Sequence, residues 1–412
     1  MPARKVRKFH ELGVLAGGVG WGCKNSLPDQ AALLPGGNRQ RWMQPTGHTP
    51  CWSEYDVRTD ELDFDLPEEL IARSPAMPRD SARLMVVSRS DESVLHHARV
   101  RDLPAFLSPG DTMVFNTTRV IPARFVGVNL NTGGKVTGLY IEEGENTDEW
   151  RVLLKMRRHR AGARVRLGDE ADGVVLELIE RDSDDGVWRV RVDAKADGLD
   201  RVGLVPLPPY ILSARRHAGE AENRDEDVKQ YQTVYADEPG SVAAPTAGLH
   251  FTPELLARLN AMGVGRADVL LHVGRGTFLP VDAEVFEDHP MHSERCRMDT
   301  RTYQRLVDTR KRGGRVIPVG STSCRTIEAF AALGGEGKGG GEIDTDILIS
   351  PGYQWQLTDG LMTNFHLPRS TLIAMVAALF PGGTARVRHI YAEAIKERYR
   401  FFSFGDAMLI LP

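Results

Sequence analysis

Cysteine is sparse in this 412-residue chain, and the four residues, Cys23, Cys51, Cys296 and Cys324, lie far apart with no Cys-x-x-Cys pair. That spacing supplies no disulfide framework and suits a reducing compartment. Long apolar runs are missing as well. The longest near the C-terminus, residues 372–380, falls far short of the roughly 20 residues that cross a bilayer. The start, MPARKVRKFHELGVLAGGVGWG, is basic, but its apolar part is short and broken by glycine, so no secretory signal is read there. A cytoplasmic protein with no membrane partner is expected. An excess of one charge is lacking too. The formal net charge of -4 excludes a surface that coats nucleic acid broadly and leaves room for a local basic face. No internal repeat is present. LHVGRGTF is not a dinucleotide fingerprint, because its glycine spacing is wrong and no helix follows. His289, His292 and Cys296 in DHPMHSERC find no fourth ligand elsewhere, so no metal site is expected.

What is present is ordinary globular composition, 41% hydrophobic and 26% charged, in a length that suits two or three domains. Residues 1–55 differ from the rest. They hold three of the six tryptophans, scattered prolines and paired glycines, with no periodic pattern. They are expected to be an unstructured or mis-started extension, the alternative being an RNA-touching arm.

Pattern begins near Asp63. DFDLPEELIARSP predicts a short helix opened by Pro67, ARLMVVSR a strand, and LPAFLSPGDTMVFNTTRVIPARFVGV a helix, a turn at Pro109-Gly110 and strands. Between residues 120 and 211 short alternating runs follow one another: ARFVGVNL, KVTGLYIEE, WRVLLKM, ARVRLG, VVLELIE, GVWRVRVD and RVGLVPL. Such spacing predicts a small antiparallel barrel. An acidic connector at 220–227 reads as a solvated loop. From residue 230 strands alternate with helices (ELLARLNAM, ADVLLHV, TRTYQRLVDTRK, RVIPVG, TIEAFAAL, TLIAMVAALF, YAEAIKERY), and the run GGEGKGGG at 334–341 reads as a surface excursion. The expected fold is therefore α/β: a mainly parallel sheet layered with helices, interrupted by a small antiparallel β-barrel domain. The expected domains are 1–55, the discontinuous α/β domain 56–119 and 212–412, and the barrel 120–211.

Three strand-to-helix junctions share one chemistry. APTAGLHFT (244–252) ends at Thr252, an N-cap, with Pro253 in the first turn and Gly263 past the end of the helix. GSTSCR (320–325) opens the helix after RVIPV, and TNFHLPRS (363–370) ends at the cap Ser370. In open α/β sheets ligands sit beyond the carboxyl ends of strands, where helix N-termini favour anions. Thr246, Gly248, Ser321, Thr322, Ser323 and Asn364 are candidate binding residues there, with Arg325 as a planar fork for a carboxylate or phosphate. His250 and His366 sit in two of these junctions, in polar loops where truncation is expected to leave little cavity. His272 lies near a strand end. Glu294 stands close enough to His292 in sequence to orient it or to act as a base. Basic clusters at 157–160, 215–216, 310–312 and 386–400 are candidate phosphate contacts, and the aromatics of RYRFFSFGDAM either stack bases or close the core, mostly the latter.

Taken together, NTTRVIPAR, YQTVYADEPGSVAAPTAGLHFTPELL, LHVGRGTF, HPMHSE, TDILISPGY, TNFHLPRSTLI and RYRFFSFGDAMLI resemble the S-adenosylmethionine:tRNA ribosyltransferase-isomerases of queuosine biosynthesis, in order from about Asp63 to Leu411. The resemblance implies an α/β fold interrupted by a small barrel. It also implies transfer of the ribosyl part of S-adenosylmethionine onto 7-aminomethyl-7-deazaguanine at the wobble position of tRNA, with isomerisation to epoxyqueuosine and release of adenine and methionine. S-adenosylmethionine is then a co-substrate with no permanently bound cofactor. The partners are that nucleotide and a tRNA carrying the deazaguanine precursor, and a monomer is expected. Candidates for proton handling are His250, His272, His292, Glu294 and His366; Arg325 with Ser321–Ser323 would hold the methionine carboxylate; tRNA contacts would come from Arg119, Arg124, Arg157, Arg158 and Arg160. The chain departs from the family pattern at Thr117, where an aspartate is usual, at Ser321, where threonine is common, and at Arg275, where proline or alanine often stands.

Overall fold

A computed structural model describes residues 57–412 except 94, 169–172, 183–185, 194–197, 275–280, 282 and 334–339. The expectations for residues 1–55 and Arg275, and nearly all of that for 334–341, fall outside the described residues. One-turn 3-10 segments at Thr59–Leu62, Glu68–Leu70 and Arg79–Ser81 precede β1 (Arg83–Ser88) and β2 (Leu95–Arg99). A longer 3-10 segment, Val100–Phe106, leads to β3 (Thr112–Asn116) and β4 (Thr118–Val120). Six strands follow: β5 (Arg124–Asn129), β6 (Lys135–Glu143), β7 (Glu149–Lys155), β8 (Arg164–Leu167), β9 (Val174–Arg181) and β10 (Trp188–Asp193). Helices α1 (Gly198–Val202), α2 (Pro209–His217) and α3 (Asp227–Gln230) lead back to β11 (Glu238–Ser241). Then come a 3-10 turn at Thr246–His250, α4 (Pro253–Ala261), β12 (Gly265–Leu271), β13 (Glu294–Met298) and α5 (Thr300–Lys311). The chain closes with β14 (Val316–Val319), α6 (Ser321–Ala332), β15 (Gly341–Thr345), β16 (Leu361–Asn364), α7 (Thr371–Ala378), α8 (Gly383–Lys396) and β17 (Ala407–Leu411).

The large sheet has the order β15-β13-β12-β3-β14-β16-β17-β1-β2. Its centre, β12-β3-β14-β16, is parallel throughout. β2 and β15 point the same way, against β1, β13 and β17. Alternation with period two divides the side chains between layers. Met113, Phe115, Ile317, Val319 and Met362 pack with Leu255 and Leu259 of α4. Val114 and Val316 turn the other way, onto Leu306 of α5 and Ile327 and Phe330 of α6, while Met408 and Ile410 join α7 and α8. The result is the expected mainly parallel α/β sheet with helices on both faces. Helix boundaries follow their caps: Thr252 accepts from Leu255 N at 3.2 Å, Asp299 from Thr302 N at 2.6 Å and Ser370 from Ile373 N at 3.4 Å.

β5 to β10 close a barrel in the order β10-β7-β6-β5-β8-β9, each neighbouring pair antiparallel. Its core is filled by Phe125, Val136, Val152, Val165, Leu176, Trp188 and Val190 among others. Gly138 makes room for Phe125, since a Cβ there would lie 2.2 Å from the ring. The run RVGLVPL does not become a barrel strand. α1 ends at Val202, and Leu204 makes only an isolated bridge to Arg124, because Pro206, Pro208 and Pro209 have no N–H to give a ladder. The barrel excursion leaves through β4 and returns through β11, which pair in parallel, Thr118 beside Glu238.

The acidic connector at 220–227 is not simply solvated. Asp227 is buried, and both its oxygens accept from Arg215, itself fully buried, at 2.7 Å each. Arg215 also donates to the carbonyls of Arg73 and Glu222, so the fork is satisfied and the connector is tied to the core.

Candidate active site

The carboxyl ends of β3, β12, β14 and β16 lie at one end of the sheet, and the three junctions read from the sequence meet there. They line a cleft of about 600 Å³, including the space open to solvent, with Ala243–Ala247 from the first junction, Gly320–Thr322 from the second and Thr363–Leu367 from the third. Val273, Tyr210, Leu372, Phe402 and Ser403 complete the lining. Gly320 turns the chain from β14 into α6 with φ 88 and ψ 157, a conformation that a Cβ would strain. Ser321, Thr322 and Ser323 are the first turn of α6, and the Ser323 hydroxyl bonds back to Val319 O at 2.9 Å.

Five of the candidate residues line the cleft: Thr246, Ser321, Thr322, Asn364 and His366. Asn364 is their organiser. It accepts the Thr246 hydroxyl at 2.9 Å, and its amide nitrogen reaches Phe402 O at 3.1 Å and His250 Nε2 at 3.3 Å. His366 Nε2 pairs with Thr363 Oγ1 at 2.7 Å, and its backbone N–H donates to the Tyr391 hydroxyl at 3.0 Å. Burial pulls both imidazoles down to about 4, with the Asp406 carboxylate raising that of His250 and Arg400 and Arg79 lowering it. Each is therefore neutral near pH 7 and able to accept a proton. Neither stands on an open loop as expected: His250 is 5% exposed and His366 9%, so truncating either removes core volume.

The remaining candidates lie outside the cleft lining. Gly248 is buried beneath Tyr235, whose hydroxyl would sit 2.0 Å from a Cβ at that position. His272 is half-buried beside the β4–β11 pair, with Nδ1 2.9 Å from Thr118 Oγ1, and burial lowers its pKa. His292 is exposed, whereas Glu294 is buried, paired with Arg325 Nη1 and accepting Gly274 N–H at 3.1 Å. Arg325 also donates to Ile347 O at 3.2 Å, which leaves its buried Nη2 without a hydrogen-bond partner among the described residues. Gly274, which Glu294 holds, neighbours Val273 of the cleft lining, and Arg325 lies one turn along α6 from Ser321 and Thr322.

The sequence reading missed Asn116. Buried at the end of β3, it donates to Leu271 O at 2.9 Å and Thr322 Oγ1 at 3.1 Å, and accepts from the backbone of Thr118 and Leu271. One amide thus ties β3, β4, β12 and the first turn of α6. Its position at a strand end beside two threonines was the available signal. Thr117, the departure from the family pattern, bonds through its backbone N–H and its hydroxyl to Val269 O, at 2.9 and 3.3 Å. On the barrel, Arg157, Arg158 and Arg160 are exposed on the turn between β7 and β8, and Arg119 is exposed on β4. Arg124 is held by Asn223 and Glu222. Among the described residues no group of three His, Cys, Asp or Glu could hold a metal ion, and no helix is long and apolar enough to cross a membrane.

The sequence profile of a family described as queuosine biosynthesis protein matches residues 59–410. The chain belongs to the S-adenosylmethionine:tRNA ribosyltransferase-isomerase family. Family members bearing that name include proteins of Methylobacterium sp. strain 4-46, 46% identical over 367 residues (86% of this chain, 98% of the relative), and of Erythrobacter litoralis, 45% identical over 360 residues (86% and 99%). The relative from Synechococcus elongatus is 46% identical over 367 residues, covering 87% of this chain and 98% of its own. A crystal structure of S-adenosylmethionine tRNA ribosyltransferase from Thermotoga maritima is similar with a TM-score of 0.47 and 33% identity, over 85% of this chain and 100% of that one.

Proposed function

We propose that this protein transfers and isomerises the ribosyl group of S-adenosylmethionine onto 7-aminomethyl-7-deazaguanine at the wobble position of tRNA, giving epoxyqueuosine, adenine and methionine, and that the cleft is where this happens. The observation that carries the reading is the meeting of all three junctions around one cleft, with a neutral imidazole among hydroxyls and amides.

The chemistry asks for proton handling without a change of oxidation level. A sulfonium acidifies the adjacent ribose methylene, so a positioned neutral base takes one proton there. Adenine leaves as a better group when a donor reaches its nitrogen. The aminomethyl group attacks only once it has given up its own proton. His366, in the cleft and neutral at pH 7, suits the base. His250, one amide removed behind Asn364, suits the tuning of that hydrogen-bond chain. His272, and Glu294 with His292, remain the next candidates for the second proton. Ser321 and Thr322 at the positive end of α6 suit the methionine carboxylate. Arg325 suits a supporting role through its spare Nη2, since Glu294 already holds the other nitrogen of its fork.

The exposed Arg157, Arg158 and Arg160, with Arg119, suit tRNA phosphates. The protein then acts as a cytoplasmic monomer, with S-adenosylmethionine as co-substrate and no permanently bound cofactor. The α/β part spans 56–119 and 212–412 and the barrel 120–211. Product analysis of purified protein with S-adenosylmethionine and precursor tRNA tests the reading. Epoxyqueuosine with stoichiometric adenine supports it; adenine with another adduct, or tRNA binding without turnover, overturns it.

A further inference from the structure

The proposed reaction gives no task to one part of the cleft lining, formed by Tyr210, Phe402 and Ser403. Tyr399, Phe401 and Phe404 are at most 1% exposed and serve the core alone; Phe402 and Tyr210, 6% and 8% exposed, belong to the same core cluster and also line the cleft. The Phe402 ring centroid lies 4.7 Å from that of Tyr210, the planes inclined at 53°, and the Tyr210 hydroxyl is fixed to Ser403 Oγ at 2.5 Å.

The backbone at Phe402 is left-handed, with φ 72. A bulky residue resists this conformation because its Cβ crowds the flanking peptides, and glycine would adopt it freely. Three hydrogen bonds hold it there: Phe402 N–H to Phe365 O at 3.0 Å, Gly405 N–H to Phe402 O at 2.9 Å, and Asn364 Nδ2 to the same oxygen at 3.1 Å. Asn364 is also the amide that organises the polar lining. A strained aromatic held at a cleft by the site's own network points to use of its ring rather than to packing alone.

We infer that Tyr210 and Phe402 receive the flat face of a purine-type base. The inference rests on the proposed function, which supplies two such bases: the adenine of S-adenosylmethionine and the deazaguanine of the tRNA. Aromatic contact suits either, because it reads a π-face and excludes water from it.

The test uses the full chain with Phe402→Leu, Tyr210→Leu and the conservative Phe402→Tyr. Equilibrium dialysis measures S-adenosylmethionine and adenosine affinity; filter binding compares precursor tRNA with the same tRNA bearing guanine at the wobble position; thermal melts control for folding. If adenine occupies the wall, both leucine variants weaken S-adenosylmethionine and adenosine about tenfold, and Phe402→Tyr restores them. If the deazaguanine does, nucleoside affinity stays and tRNA affinity falls about tenfold instead, for the precursor and the guanine-bearing tRNA alike, since both bases present a π-face. Unchanged values in both assays, with wild-type melts, overturn the inference. Should Phe402→Leu unfold early, Phe402→Met, of similar volume without a ring, carries the same comparison. Epoxyqueuosine formation by the wild type is scored separately, so its absence removes the proposed reaction while adenosine affinity still reads the wall.

Discussion

Around the α/β sheet, four arginines reach buried carboxylates: Arg325 onto Glu294, Arg215 onto Asp227, Arg315 onto Asp111 and Arg400 onto Asp406. On the barrel, Arg157, Arg158 and Arg160 stand together in solvent on one turn. The first set spends its charge on holding backbone and connectors in place; the second presents it. A net charge of -4 averages over two regions with different uses for the same side chain, and for that reason says little about either.

The comparison can be broken most strongly at the cleft. His366→Gln keeps most of the volume but removes the proton acceptor, and single-turnover adenine release should fall about 100- to 10,000-fold while tRNA affinity holds. In the wild type the acid limb of the single-turnover rate should lie near pH 4, the value to which burial pulls His366, instead of near 6.5; an acid limb near 6.5 would move the role to an exposed histidine.

The next effect is on stability. Asp227→Ala leaves the Arg215 guanidinium buried without its carboxylate and should cost about 3–5 kcal/mol in denaturant unfolding. Arg215→Met combined with Asp227→Leu should recover most of that loss, because the desolvation of both charges disappears together.

Acid should weaken the fold in a defined window. His250 and His366 fall to about 4 in the folded state from 6.5, so between those values the unfolded chain binds more protons and stability rises with pH. The contribution is fully present above pH 6.5 and is lost as pH falls toward 4, by up to about 3 kcal/mol for each imidazole. Denaturant midpoints at pH 7, 6, 5 and 4 measure it, and replacing both residues with glutamine should flatten that slope.

Replacing Arg157, Arg158 and Arg160 together with alanine should leave stability alone and lower the salt slope of tRNA binding by about one for each phosphate no longer neutralised. An unchanged slope would place the footprint elsewhere, first at the exposed Arg388 and Arg398 of the 386–400 cluster. Smallest of all should be deletion of residues 1–55, which precede the family match at 59–410. Melting temperature and turnover should stay close to those of the full chain, and a large loss in either would make the segment part of the working protein.

Features encoded locally were legible. Thr252 and Ser370 announced their helices because a cap acts within three residues, and the barrel strands announced themselves because alternation is a property of consecutive positions. The cleft was legible in part, since two of the junctions follow β14 and β16 at one end of the parallel sheet; the first follows β11, which pairs with β4 outside that sheet. Its membership was not. Asn116 reaches Leu271 and Thr322, 155 and 206 positions away, and Tyr210 meets Ser403 across 193; no local pattern marks such pairs. Burial misled in the same way. His250 follows Thr-Ala-Gly-Leu, which reads as a polar turn, yet the strands behind it enclose the ring. Arg325 looked like a free anion fork because Glu294 stands 31 positions earlier, on a strand whose place in the sheet only the topology supplies.

The parallel clasp of β4 with β11 also bears on how the chain finds its fold. Pairings at the heart of the sheet, such as Thr117 with Val269, close a span of 152 residues, and closing a long flexible loop is entropically costly and slow. Nearly half of that span is barrel, Arg124 to Asp193, whose neighbours along the sheet order are largely neighbours in sequence. A barrel that forms first draws its two ends toward each other and leaves the clasp only a short gap to close. The insertion then serves assembly as a splint, holding near each other the two strands it separates.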